Sequence, residues 1–207
     1  MSFVNGILGP LLFPSILWRT NQSSIHLTFD DGPHPTATPQ VLELLNKFRI
    51  HATFFLLGDQ VIRYPELAAQ ISKEMHGVGC HGMSHQSLFL KSRALQSAQI
   101  AQAKAAVAEK TGTSPLAFRP PFGHFDLSTL DLASQEGMKV VMWDVDSKDF
   151  KLRSTKETRT SVLRHVRQGS IVLLHDNDLT AGRIRDYLSV TIESCLERGF
   201  TFAPLPL

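Results

Sequence analysis

Apolar runs of four to seven residues recur along the chain, separated by longer stretches with apolar side chains at helical spacing. The runs cover residues 25–29, 51–57, 77–81, 115–119, 138–143, 170–175 and 200–203. They show little in–out alternation, as strands do when both faces are covered. Between them, residues 40–49 carry Val41, Leu44, Leu45 and Phe48 on one helical face, and residues 66–75 carry Leu67, Ala68 and Ile71. Further helices are expected over 91–110, 127–136, 154–167 and 182–198, with Gly112 and Gly137 closing two of them. Strand and helix thus alternate about seven times, which predicts an α/β fold of parallel strands joined by crossover helices. No internal repeat, linker or low-complexity stretch interrupts the pattern.

Composition narrows this picture. At 207 residues and 43% hydrophobic, the chain can bury one substantial core. A net charge of +2 does not favour nucleic acid or an anionic membrane as partner. Cys80 and Cys195 read as free thiols rather than a disulfide framework. Residues 1–18 are apolar, yet Pro10 and Pro14 break the run and no Lys or Arg precedes it. That is a poor signal peptide and too broken for a membrane span, so residues 1–23 are expected to form a packed or peripheral N-terminal arm. Residues 24–207 are expected to form one domain.

Candidate chemistry collects at one end of the strands. Asp30 and Asp31 end the first apolar run, and Gly32-Pro33 turns the chain. Two adjacent carboxylates in one mouth repel unless a cation is shared, which suggests one metal ligand and one base. His81 and His85 are spaced for one side of a helical turn, and with a carboxylate they suit Zn²⁺ or a similar ion. Alone, such a pair is weak evidence in a chain with nine histidines. Arg119-Pro120-Pro121-Phe122-Gly123 is a stiff loop after the fourth run, and Arg119 can reach a carboxylate across the mouth. Of Asp144, Asp146 and Asp149, at most one is expected to matter. His175 follows a fully apolar strand, so it is no surface decoration. All these residues stand at strand C-terminal ends, where parallel α/β folds build their sites.

In this order, Thr28-Phe29-Asp30-Asp31-Gly32-Pro33, His81-x-x-x-His85, Arg119-x-Pro121-Phe122-Gly123, the Asp149 loop and Leu173-x-His175 resemble the five motifs of the polysaccharide deacetylase family (NodB homology domain, carbohydrate esterase family 4). The likeness runs from about residue 25 to the C-terminus. It implies an irregular (β/α)7 barrel with parallel strands and a shallow groove. It also implies that Asp31, His81 and His85 bind a divalent metal, Zn first and Co, Mn or Ni as options. By the same resemblance Asp30 is the general base, Arg119 orients it, and Asp149 holds His175, the general acid. The Phe122 N–H would stabilise the oxyanion. Leu173 would receive the acetyl methyl, with Trp143 and Pro121 as further substrate contacts.

Gly82 stands where the family commonly has Ser or Thr, Phe150 replaces a common Trp, and Cys80 precedes His81 where Asn is usual. These departures bear on substrate preference and metal affinity rather than on catalysis. The expected activity is metal-dependent removal of N-acetyl groups from N-acetylglucosamine-containing glycans. Deacylation of a small molecule or O-acetyl ester is the rival chemistry, and a non-catalytic glycan-binding relative the rival class. A monomer acting on glycan is expected, without nucleic acid or stable membrane insertion. Location is left open, because the family commonly works outside the cytoplasm while no clear signal peptide is present.

Overall fold

The computed structural model describes residues 9–151 and 154–207. Seven strands form one sheet: β1 (His26–Asp30), β2 (Thr53–Leu56), β3 (Gly77–Cys80), β4 (Ala117–Phe118), β5 (Lys139–Val140), β6 (Val145–Asp146) and β7 (Ile171–His175). Their spatial order is β5-β4-β3-β2-β1-β7-β6, and every pairing is parallel. Neighbours in space are neighbours in sequence, with the β1–β7 pair closing the cycle. This is barrel winding. The edges are β5 and β6, so the irregular (β/α)7 barrel opens between them.

Helices cover the outside: α1 (Gly9–Leu12), α2 (Ala37–Phe48), α3 (Gly58–Arg63), α4 (Pro65–Lys73), α5 (Arg93–Thr111), α6 (Leu127–Gln135), α7 (Thr155–Leu163) and α8 (Ile184–Glu197). Ser92 and Ser154 accept the amides of Leu95 and Glu157 at the starts of α5 and α7. Asp126 and Thr129 form a reciprocal capping box on α6.

The pleat sorts side chains into two cores. Leu27, Phe29, Phe54, Leu56, Val78, Val172 and Leu174 belong to the large cluster shared with the helices. Phe55, Ala117, Val141, Ile171 and Leu205 fill the lumen. Continuous apolar strands follow, since each alternate position meets a different hydrophobic layer. The same alternation sends Thr28 and Asp30 of β1, and Leu173 and His175 of β7, toward the lumen. Leu173 is 4% exposed yet belongs to neither cluster, lying between Ile171 below and His175 above.

Several boundaries differ from expectation. Helix α3 falls in a stretch to which the sequence pattern assigns no element, because its apolar face is too short to show a period. The expected strand over 138–143 pairs only at Lys139 and Val140, while Leu17 bridges to Val141. The sixth strand is Val145–Asp146, inside the expected acidic loop, and the expected strand over 200–203 is a single bridge from Phe202 to Ile25. Two-residue strands carry too little sequence to show a pattern. In the N-terminal arm, residues 1–8 lie outside the described residues, whereas Ile16 and Trp18 are buried in the large core. Among the described residues, no helix is long and apolar enough to cross a membrane.

Candidate active site

The ends of β1, β3, β4 and β7, with the loop after β6, bring the predicted residues to one rim. Asp30 ends β1 in register with His175 at the end of β7. Asp31 takes a left-handed conformation at φ 80°, turning its side chain away from the strand repeat. Gly32 follows because nothing larger fits. A Cβ there would lie 2.3 Å from Asp176 Oδ2, and that carboxylate is fully buried beneath the turn. Thr38 donates to the same oxygen, and the Asp176 N–H donates to the Asp30 carbonyl at 3.1 Å. Burial pushes the Asp176 carboxyl well above the usual carboxylate range, with Asp31 and Asp30 adding to the rise.

Asp31, His81 and His85 converge. Asp31 Oδ1 lies 3.5 Å from His81 Nε2 and 3.4 Å from His85 Nε2. The three donor atoms lie within 4.8 Å of one another. Asp31 Oδ1 is buried and has no hydrogen-bond partner among the described residues, a cost that a cation between it and the imidazoles would remove. His81 Nδ1 sits 2.7 Å from the Arg119 carbonyl, so it carries the proton and leaves the Nε2 lone pair facing Asp31. Burial pushes the His81 imidazole down to about 3, which keeps it neutral and able to ligate. Two nitrogens and one carboxylate oxygen fit a divalent ion such as Zn²⁺.

Asp30 is held by Arg119, which donates from Nη1 to Asp30 Oδ1 at 2.7 Å. The guanidinium is wholly buried and places three further donors on Thr28 Oγ1 and the Val141 and Met142 carbonyls. It also lies 4.1 Å from the Phe55 ring centroid and 5.6 Å from that of Trp143. Burial raises the Asp30 pKa against the opposing pull of Arg119, giving a carboxylate more basic than an exposed one.

His175 forms the second pair. Its Nδ1 lies 2.8 Å from Asp149 Oδ1, and as Asp149 only accepts, Nδ1 carries the proton and Nε2 faces outward. Asp149 is saturated by the amides of His175 and Phe150 and by the Tyr187 hydroxyl at 2.9 Å. Burial alone would depress the imidazole, but the Asp149 charge and hydrogen bond, with Asp30 and Asp31, raise it to about 9. Asp144 and Asp146 serve other ends: Asp144 accepts from the Ile171 amide and the Ser170 hydroxyl, and Asp146 from the Lys148 amide.

The rim wall is aromatic. Pro121 is buried at the start of a 3-10 turn in which Phe122 adopts φ 60° and stands half exposed, 4.2 Å from the His85 ring centroid. Trp143 packs beneath Gly123, where a Cβ would meet its ring at 2.8 Å. Phe150 lies edge-on to His175 at 5.3 Å. Gly82 takes φ +88°, a conformation a side chain rarely adopts, and its loop is braced by Gln99 accepting from the Ser84 amide at 2.9 Å. Cys80 points into the outer core. Thr28, Tyr187 and Asn177 were not singled out by sequence. Thr28 lies inside the recognised motif, but Tyr187 and Asn177 have no local signal.

The sequence profile described as Polysaccharide deacetylase matches residues 18–141. The chain is 33% identical to the chitooligosaccharide deacetylase of Azorhizobium caulinodans, covering 90% of this chain and 94% of that one. It is 35% identical to the peptidoglycan-N-acetylglucosamine deacetylase PgdA of Listeria monocytogenes serotype 1/2a, covering 90% of this chain but 39% of that longer protein. The crystal structure of the Bc1960 peptidoglycan N-acetylglucosamine deacetylase superposes with a TM-score of 0.88 at 29% identity, covering 93% of this chain and 91% of that one. Profile, relatives and barrel agree, and the chain belongs to the polysaccharide deacetylase family, the NodB-homology hydrolases of carbohydrate esterase family 4.

Proposed function

We propose that this chain is a metal-dependent hydrolase that removes N-acetyl groups from N-acetylglucosamine-containing glycans of the chitin-oligosaccharide or peptidoglycan type. One observation carries the reading: two ion pairs, buried Asp30–Arg119 and half-buried His175–Asp149, stand beside the Asp31–His81–His85 triad, with Asp30 and His175 in register. The relatives' printed activities support the substrate class. Asp31, His81 and His85 would hold the ion. Bound there, a divalent metal supplies Lewis-acid polarisation of the amide carbonyl and lowers the pKa of water.

The side chains do the rest. Asp30, its pKa raised by burial, takes a proton from the attacking water. Arg119 fixes one carboxylate oxygen and leaves Oδ2 for that proton. The Phe122 N–H donates to the oxyanion as the carbonyl carbon becomes tetrahedral. His175, protonated up to about pH 9, gives its Nε2 proton to the departing amine, which would otherwise be a poor leaving group. Leu173, under His175 and outside both apolar clusters, receives the acetyl methyl, and Trp143 and Pro121 support the wall behind Phe122.

Acetate release from chitin oligosaccharides tests the reading, using metal-stripped protein and protein reloaded with Zn²⁺ or Co²⁺. Release only after reloading is expected. Release unaffected by stripping would overturn the metal assignment, and release from acetyl esters alone would overturn the amide substrate.

The His175–Asp149 pair predicts a pH effect. Replacing Asp149 with Asn removes the charge that opposes burial, so the His175 pKa falls and its proton is lost at lower pH. The alkaline limb of the kcat/KM profile should move down by at least one pH unit, about 1.4 kcal/mol of differential interaction. An unmoved limb would remove His175 from the role of acid.

A further inference from the structure

The loop after β7 carries a side chain that the chemistry above does not use. Asn177 Nδ2 donates to Asp31 Oδ2 at 2.7 Å. We propose that Asn177 is a positioning residue of the metal site, holding Asp31 so that it offers the ion Oδ1 alone. This inference rests on the metal reading given above.

The orientation of the amide is settled by its other end. Asn177 Oδ1 accepts the Leu179 N–H at 2.9 Å, so the amino group must be the end that faces Asp31. The loop itself is tied down. The Asn177 N–H donates to Thr180 Oγ1 at 3.2 Å, and that hydroxyl donates to the His175 carbonyl at 2.8 Å. Thr180 is wholly buried, and the Ala181 amide returns to the Asn177 carbonyl at 2.9 Å. Asn177 is thus a fixed donor rather than a wandering surface amide.

Its effect falls on a carboxylate with two unequal oxygens. Asp31 Oδ2 is engaged by Asn177, while Oδ1 is the orphan facing both imidazoles. A carboxylate so divided binds through one oxygen. Freed of Asn177, it can rotate and present both, which changes coordination number and loosens the set geometry. Partners of this kind outside the ligand set commonly alter metal affinity by about ten- to a hundredfold. The chain order His175-Asp176-Asn177 also places this donor two residues from the acid, on one braced turn.

The test compares the unaltered chain with Asn177→Ser, which can still accept the Leu179 N–H in a local turn but cannot reach Asp31. Affinity for Co²⁺ and Zn²⁺ is read by competition with a chelator, and the visible spectrum of the Co²⁺ form reads coordination. Asn177→Ser should weaken binding about ten- to a hundredfold and change the Co²⁺ spectrum. In an Asp31→Ala background the same substitution should change nothing further. Wild-type affinity and spectrum in Asn177→Ser overturn the proposal, as does an equal loss in the Asp31→Ala background. Should Asn177→Ser not fold, Asn177→Asp keeps the shape and the Leu179 acceptor while losing the amide donor. A changed Co²⁺ spectrum supports the proposal there, and an unchanged one overturns it. A wild-type chain that takes up neither ion overturns this inference together with the metal reading.

Discussion

Asp30→Asn should lower kcat by about a hundred- to ten-thousandfold, the range that a positioned general base contributes. The substitution is isosteric, and the Asn oxygen can still accept from Arg119, which donates to Asp30 Oδ1 at 2.7 Å. What disappears is the capacity to take a proton. Metal content should stay near that of wild type, because Asp30 is outside the proposed ligand set of Asp31, His81 and His85. Single-turnover acetate release at saturating metal measures the effect. Activity within threefold of wild type would show that Asp30 is not the base. A second consequence is thermodynamic. Arg119 keeps its hydrogen bonds but loses its buried counter-charge, so the variant should also unfold at lower denaturant.

Arg119→Ala carries the second large effect. The guanidinium joins Thr28, Asp30 and the carbonyls of Val141 and Met142, and it is sandwiched against Phe55 and Trp143. Truncation leaves Asp30 buried without its counter-ion, leaves two carbonyls short of a donor and opens a hole in the barrel mouth. Breaking a buried pair by removing one partner costs about 3–5 kcal/mol. The sign for Asp30 follows from its surroundings. Burial already raises its pKa and Arg119 opposes the rise, so without Arg119 the base becomes protonated at higher pH. The acid limb of kcat/KM should therefore move up, and activity at neutral pH should fall with it. Denaturant melts and a pH profile separate the two losses. Arg119→Lys should recover charge but not the fork of donors, and so restore stability only in part. An Arg119→Ala protein of wild-type stability would contradict the account of the buried pair.

Much of the site was legible in the sequence because its residues carry unusual local constraints. Two adjacent carboxylates that end an apolar run, just before Gly-Pro, repel each other unless a cation lies between them. The structure adds the reason for Gly32, whose Cβ would strike the buried Asp176 carboxylate. The acidic loop was less transparent: Asp144, Asp146 and Asp149 look alike by residue type, so the motif resemblance alone singled out Asp149, and the pairing of β6 with β7 is what brings it to His175. Tyr187, on α8, and Asn177, beyond β7, reach Asp149 and Asp31 from segments 38 and 146 residues away. No local pattern announces such partners.

The chain's own pattern determined the alternation of strand and helix, and with it a parallel sheet whose C-terminal rim holds Asp30, Asp31, His81, Arg119 and His175. Periodicity over five or more residues is enough for that, since burial on both faces imposes continuous apolar strands. Tertiary structure decided what periodicity cannot reach. It set the two-residue strands β4, β5 and β6, the opening between β5 and β6, and the division of apolar side chains between lumen and outer layer. It also decided which amide holds Asp31 and which hydroxyl supports Asp149. These depend on distances between segments far apart in the chain, and a pattern read along the backbone contains no such distances.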